Sequence, residues 1–553
     1  MDIKADTKML NDELRNRGFG NEDGQSEEED SRNQLEILRD EIMDRIEYFQ
    51  TDEGIGFAKY IMENGQAVTT ELTSGKFKKY VRRLARSLDI SPAPTTINTA
   101  VEEIQAQADL ATAKPVFLRT AYVGKNIHIF TGTMEYPEYY ELNTATGTVT
   151  KIDNSPVEFI PKSYLEKMDI VLETAATTDD NIFLIQKYIN ADDQYIILIL
   201  TWLCSALMPE ENWEYAQLNF IGSKGSGKST TMENLARIID NSEYNRMIFP
   251  SGLGISKATE NLFVNAYHNW CLSYDNVVRF KDDLAMVLAV FTTGNAQMVR
   301  KLFSDNDQVI MSNKRPVILN YISQPHDRSD LLDRSIVLEF KELTGIREDD
   351  QTMRELFEND VPKIRGFIFQ TLAKALHLMQ TEPIEIDRQD RWRVTHFYKL
   401  GRHIEKVLNL PDGTFHKAIW ETTENTARTL LAMNEYATGI KEYTLNWEVG
   451  KIEKHTPNEL LQKIKNHYRN LSSLDGNYIE RYNFWKNKKV SVFGRELTNV
   501  MAELRLYGLK VTSSRDEHRY YIIEKINNGN TGVVSDGADS TDGSLENNNN
   551  LDE

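Results

Sequence analysis

The chain reads as a multi-domain α/β protein, with a central α/β core, a smaller N-terminal α+β module and a C-terminal module of helices and a hairpin. Three observations predict this. A glycine-rich turn, Gly222-Ser223-Lys224-Gly225-Ser226-Gly227-Lys228-Ser229, lies between a strand-like and a helix-like run. Short alternating segments such as Ile127-His128-Ile129-Phe130, broken by Gly124, Gly132 and Gly147, precede it. Two helical runs and a hairpin pattern close the ordered sequence. With 553 residues, 40% of them hydrophobic, the chain can bury several cores, and three or four folded units are expected.

Cys204 and Cys271 are the only cysteines, each inside an apolar run, so they read as buried reduced thiols of an intracellular protein. The longest apolar stretch, Tyr195 to Met208, is too short to span a bilayer, and the acidic N-terminus lacks signal-peptide architecture. A soluble, cytoplasmic protein with no membrane partner is expected. The formal charge of −20 is uneven. Residues 1–30 carry ten acids against four bases and residues 526–553 six acids and no base, so the tails supply −12 of it. Lys451 to Lys525 carries fifteen Lys or Arg against nine Asp or Glu, a net of +6, the sign that a DNA-binding module needs.

Seven segments follow from periodicity and composition: an acidic disordered tail (1–33), a helical N-terminal module (34–113), a small β-rich module (114–170), the nucleotide-binding domain (171–345), a helical region (346–450) in which Asp360 and Pro362 open a helix, a C-terminal module (451–526), and a second acidic disordered tail (527–553). The basic run Lys76 to Arg86 falls on a helix whose apolar positions are Phe77, Tyr80, Val81 and Leu84, and reads either as a solvated face or as a nucleic-acid contact.

Upstream of the turn, Ala216, Leu218 and Phe220 alternate with polar neighbours as along a strand edge; downstream, Met232, Leu235, Ile238 and Ile239 recur at helical spacing. Strand, G-x-x-x-x-G-K-[ST] and helix together make a P-loop. Gly222, Gly225 and Gly227 let backbone N–H groups curl around phosphates, Lys228 reaches the β- and γ-phosphates, and Ser229, backed by Thr230, holds Mg²⁺ of a bound ATP. Trp270-Cys271-Leu272-Ser273-Tyr274-Asp275 is a buried strand ending in a carboxylate, the Walker B arrangement, with Asp275 as second metal-shell residue. Pro316-Val317-Ile318-Leu319-Asn320 offers Asn320 as the γ-phosphate sensor, and Arg334, between Asp330-Leu331-Leu332-Asp333 and the strand Ile336-Val337-Leu338, is placed as an arginine finger. Asn276 stands where a second carboxylate is usual, so the hydrolytic base is Asp275 itself or a carboxylate from elsewhere, such as Asp282 or Asp283.

Gly294 to Phe303 and Gln308 to Met311 flank the polar turn Ser304-Asp305-Asn306-Asp307 and form a hairpin. It is either a DNA-gripping element, with Lys301 first and Arg300 second as phosphate contacts, or a surface hairpin. Thr456-Pro457-Asn458-Glu459 is a capping box opening a helix that carries Leu460, Leu461, Ile464 and Tyr468. A second helix runs from about Gly494 to Gly508, and Leu509–Thr512 pairs with Arg519–Ile523 across Arg515-Asp516-Glu517. This is a winged-helix pattern, in which Arg495, Thr498 and Asn499 face a major groove and Arg515 and Arg519 ride on the wing.

The Gly294-Asn295 block through Arg300-Lys301, leading into Pro316-Val317-Ile318-Leu319-Asn320, resembles the B′ motif of superfamily III helicases and the channel hairpins of minichromosome-maintenance-like AAA+ rings. From about Pro115 to Met379 and through the winged helix, the order of motifs resembles helicases of mobile genetic islands, including the cassette-chromosome family Cch. That resemblance implies an AAA+ P-loop ATPase core, a homohexameric ring, ATP and Mg²⁺ as cofactors, single-stranded DNA in the pore and duplex DNA at the winged helix, with 3′-to-5′ unwinding in replication initiation. Two other readings remain: an ATP-switched winged-helix DNA-binding regulator, and a scaffold with a degenerate P-loop.

Overall fold

The computed structural model describes residues 34–527, apart from 161, 163, 173–177, 243–244, 295–296, 301–307, 312–313, 327, 343–348, 388–391, 475 and 516–518. The two acidic tails therefore lie outside the described residues, Asn527 excepted. The described residues form two compact units, one within Met1–Ile61 and Thr70–Lys114, the other within Met62–Thr69 and Pro115–Glu553.

The first unit corrects the helical reading of 34–113. Helix Gln34–Met43 is followed by strands β1 (Ile46–Gln50) and β2 (Gly56–Ile61), paired antiparallel, then by β3 (Ala67–Glu71), of which Thr70 and Glu71 belong to this unit, and only then by helices Gly75–Ser87 and Pro94–Ala108. The strands escape periodicity because each is five or six residues long, too short to separate period 2 from period 3.6. Packing decides instead: Phe49 and Phe57, paired across β1 and β2, stack at 5.8 Å between centroids. In helix Gly75–Ser87, Ser74 caps the N-terminus through Phe77 N, the face of Phe77, Val81 and Leu84 is buried, and Lys79, Arg82, Arg83 and Arg86 are exposed.

The second unit begins with β4 (Val116–Phe117) and an antiparallel meander of β5 (Thr120–Val123), β6 (Asn126–Phe130), β7 (Tyr139–Asn143) and β8 (Thr148–Ile152); β9 (Glu158–Phe159) returns to pair with β4. Ile127, Ile129, Tyr140 and Leu142 project from one face of the meander into the main core of the unit. Helix Ile196–Ser205, the apolar stretch noted in the sequence, is buried almost all round in that same core. Among the described residues, no helix is long and apolar enough to cross a membrane.

At the centre lies a parallel sheet of five strands, β10 (Gln217–Gly222), β11 (Met247–Ile248), β12 (Leu272–Asp275), β15 (Val317–Tyr321) and β16 (Ser335–Phe340), in the order β11-β12-β15-β10-β16. Between β12 and β15 the chain forms the hairpin β13 (Gln297–Arg300) and β14 (Gln308–Met311). Both faces of the sheet are covered, as parallel sheets require. Leu218, Phe220, Ile318 and Ile336 point into one core with helices Asp350–Thr381 and Thr395–Val407, while Tyr274, Val317, Leu319 and Tyr321 point into a second with helices Ile255–His268 and Asp282–Thr293. The edge-like alternation before the turn is corrected by this order: β10 lies between β15 and β16, and its polar residues Gln217 and Asn219 are buried and hydrogen-bonded to each other at 2.7 Å.

A buried ion pair ties the meander to this sheet. Arg119 pairs with Asp240 and donates to Phe130 O at 2.9 Å, and the other Asp240 oxygen accepts from Trp270 N (3.1 Å) and Cys271 N (3.2 Å), just ahead of β12. Arg119→Met would leave the carboxylate buried without its cation, and a loss of about 3 kcal/mol is expected, read as a lower midpoint of urea unfolding.

The helix expected to open at Asp360 and Pro362 begins earlier, as Asp350–Thr381 with Pro362 inside it, because the Asp349 side chain caps the N–H groups of Gln351 and Thr352. Helices Thr395–Val407, Thr414–Met433 and Glu435–Tyr443 follow. The C-terminal segment holds β17 (Ile452–His455), helices Pro457–Leu474, Ile479–Lys486 and Val490–Val500, then β18 (Leu509–Arg515) and β19 (Arg519–Lys525) in a sheet ordered β17-β19-β18. The Thr456–Glu459 capping box is formed in both directions, at 2.8 and 3.3 Å. The expected Gly494–Gly508 helix is corrected: it starts at Val490 and ends at Val500, and a separate 3-10 turn, Glu503–Tyr507, leads to Gly508.

Candidate nucleotide site and nucleic-acid surfaces

The carboxyl ends of parallel strands are where ligands of open α/β sheets bind, and the residues singled out in the core meet there. Gly222 ends β10, Asp275 ends β12 and Asn320 lies near the end of β15. The turn after β10 curls tightly back. A Cβ on Gly222 would stand 2.4 Å from Phe340 O of β16, so no larger residue fits this approach. Gly227, with φ 81°, is left-handed immediately before helix Lys228–Ile239 and swings the helix N-terminus toward the loop. Asn190, absent from the sequence reading, braces the turn by donating to Ser226 O (2.8 Å) and Lys341 O (3.2 Å).

Lys228 is 7% exposed, and its three ammonium protons meet Gly222 O (2.9 Å), Ser223 O (2.7 Å) and Ser226 Oγ (3.2 Å). Burial pushes its pKa below the ordinary lysine value, against the opposing pull of the Asp275 charge. Ser229 Oγ lies 3.0 Å from Asp275 Oδ1 and 3.0 Å from Asn320 Nδ2, and Asn320 also donates to Asp275 Oδ1. The structure thus brings together four of the predicted residues, Lys228 by way of the turn and Ser229, Asp275 and Asn320 by direct contact. Thr230 is exposed on the first turn of the helix.

The donor set suits Mg²⁺, a hard ion that keeps much of its water and takes one carboxylate and a hydroxyl beside substrate phosphates. Ser229 Oγ and Asp275 would hold it. Among the described residues, no cluster of three or more His, Cys, Asp or Glu side chains could hold a metal without such help.

Asn276 has a conformational reason to stand where a second carboxylate is usual. Its φ is 52°, a left-handed backbone that Asn tolerates better than most residues, and its N–H closes onto Asp275 Oδ1 at 2.9 Å while its side chain is exposed. Asp282 and Asp283 are exposed in the first turn of helix Asp282–Thr293, where they complement the helix dipole. The hydrogen bonds around Asp275 among the described residues include neither.

Arg246 was missed. It donates to Asp275 Oδ2 through Nε at 3.1 Å and through Nη2. Only the sheet order could have revealed it, because the pairing of Ile248 with Asp275 carries the start of β11 to the tip of β12.

Arg334 lies ahead of β16, partly exposed, with Nη1 donating to Asp330 O at 2.8 Å. Arg328 forms a two-pronged pair with Asp330, at 2.8 and 2.6 Å. In the hairpin, Arg300 is the last residue of β13 and pairs in register with Gln308; Lys301 lies outside the described residues.

At the C-terminal module, Arg495, Asn499 and Arg519 line one cleft of about 420 Å³ together with Ser491 and Thr498. Arg519 is held by Thr498 Oγ1 at 2.7 Å, and Arg495 is 70% exposed beside Glu496. Arg515 is exposed at the end of β18, opposite Arg519 in the register.

Comparison with known proteins bears on the core. No curated protein matches the chain. Among solved structures, the NrS-1 C-terminal region in its apo A form is similar at 13% identity and TM-score 0.39 over 89% of this chain and 99% of that one. A structure described as "SCCmec type IV Cch - active helicase" is similar at 12% identity and TM-score 0.43 over 87% and 93%. Residues 180–403 match the family of actinomycete integrative conjugative element replication proteins, so the resemblance to replication proteins of mobile elements is borne out over the segment that holds the glycine turn, Asp275, Asn320 and Arg334.

Proposed function

We propose that the chain is an ATP-dependent DNA helicase that acts in the replication of a mobile element as a homohexameric AAA+ ring. The observation that carries this reading is the meeting of Lys228, Ser229, Asp275 and Asn320 at the carboxyl end of the parallel sheet, behind a turn that only glycine can make at Gly222. Lys228 would exchange its loop acceptors for phosphate oxygens, the N–H groups of Gly225 and Gly227 would face the phosphates, and Asn320 would orient the attacking water. Bound Mg²⁺ would supply charge neutralisation on the phosphate oxygens. Arg334 of a neighbouring protomer would stabilise the charge of the transferring phosphoryl group.

Coupling to DNA is assigned to the β13–β14 hairpin, where Lys301 and Arg300 follow the phosphates of one strand in the pore. Residues 452–525 would serve as a winged helix holding duplex DNA, with Arg495 and Asn499 on the presented helix, Arg519 beside them and Arg515 on the wing. The family match supports the replication part of this reading, since the matched family consists of replication proteins of integrative conjugative elements.

The test is strand displacement on forked DNA with ATP. Lys301→Ala is expected to lose displacement while hydrolysis without DNA stays within about twofold, because the contact removed is to a DNA phosphate and not to the nucleotide. Normal unwinding by this variant would refute the hairpin assignment. Hydrolysis and duplex binding by the wild type with no displacement at all would leave the regulator reading in its place.

A further inference from the structure

Two of the buried carboxylates that face arginines in this unit, Asp240 and Asp275, are built differently. Asp240 and Arg119 are both sealed, with side chains 4% and 1% exposed, so that pair is permanent. Asp275 is equally sealed at 7%, yet its partner Arg246 is 50% exposed. The Oδ1 oxygen of Asp275 is occupied by Ser229, Asn320 and the Asn276 N–H, and Oδ2 is taken by Arg246 through two nitrogens. A carboxylate so buried needs a cation beside it, and the one it has is able to swing into water.

Resting on the nucleotide-site reading above, we propose that Arg246 is a positioning residue that occupies Oδ2 of Asp275 in the nucleotide-free protein and competes with the divalent cation for that carboxylate. When the cation arrives with nucleotide, Arg246 gives up Oδ2 and turns its guanidinium toward the triphosphate. Two consequences follow from charge alone. The free protein discriminates against metal without nucleotide, because the cation must displace a two-pronged ion pair. Nucleotide without metal still finds positive charge from both Lys228 and Arg246.

The experiment uses the full chain as wild type, Arg246→Ala and Arg246→Lys. Mn²⁺ binding without nucleotide is followed by the loss of its free-ion paramagnetic resonance signal, and ATP binding is measured by calorimetry in EDTA and in Mg²⁺. Arg246→Ala is expected to bind Mn²⁺ about fivefold tighter and metal-free ATP about fivefold weaker, the scale of a partly exposed ion pair. Arg246→Lys, which keeps the charge but not the fork, is expected to recover ATP binding in EDTA and to remain weaker than arginine at excluding Mn²⁺. Mn²⁺ and metal-free ATP affinities that are unchanged in Arg246→Ala, with ATP still bound, overturn the proposal and leave the nucleotide site standing. Failure of the wild type to bind ATP with or without Mg²⁺ overturns both.

Discussion

Lys228→Ala is expected to lower ATP turnover by about a thousandfold, the scale seen when a fixed donor to a developing negative charge is removed. The expectation is specific because Lys228 is already positioned: its ammonium is held at the lip of the turn by two carbonyls and the Ser226 hydroxyl. Those acceptors lie in a loop where Lys224 and Gly225 are exposed, so water replaces the lost donors and the fold is expected to lose no more than about 1 kcal/mol. Phosphate release and a urea unfolding curve on the same preparation separate the two effects. Lys228→Arg is expected to rescue little, since a planar guanidinium cannot present three converging protons to the same acceptors. Turnover in Lys228→Ala within tenfold of wild type would show that this turn is not the phosphate cradle.

The core was legible in the sequence because glycine, lysine and carboxylate chemistry at fixed spacing leaves few arrangements open. The turn, Asp275 and Asn320 occupy the strand ends assigned to them, and the alternation of Val317, Ile318 and Leu319 divides between the two cores as a buried parallel strand should. What the sequence hid is what depends on strand order or on very short elements. Arg246 reaches Asp275 only because β11 lies beside β12, and Asn190 reaches the turn across the end of β16, neither of which is a local property. The strands β1 to β3 were hidden by their length, and β17 because four residues, Ile-Glu-Lys-His, carry no apolar rhythm of their own and are fixed by pairing with β19. The turns before Pro362 are hidden for the opposite reason: a proline suits the first turn of a helix, and the cap that starts this one, Asp349, lies thirteen positions upstream.

Arg334→Ala is expected to reduce turnover by about 10³-fold or more while leaving nucleotide affinity close to wild type, because an arginine finger acts on the transferring phosphoryl group rather than on the bound ground state. Within one protomer its guanidinium is anchored to Asp330 O ahead of β16, an outer strand of the sheet, whereas Asp275 and Asn320 lie on β12 and β15 on the other side of β10. That placement favours service to a neighbour's site, and mixing makes the distinction sharp. Lys228→Ala and Arg334→Ala proteins are each expected to be nearly inactive alone. If Arg334 serves the adjacent protomer, an equimolar mixed ring regains activity at about a quarter of its seams, those where an intact Lys228 faces an intact Arg334. If Arg334 serves its own protomer, every site in the mixture lacks one of the two residues and activity stays at the level of the single variants. Recovery therefore requires both the shared site and an assembly that exchanges subunits; the absence of recovery in rings shown to be mixed would assign Arg334 to its own protomer's site, and near-normal turnover of Arg334→Ala alone would leave it only its structural bond to Asp330 O.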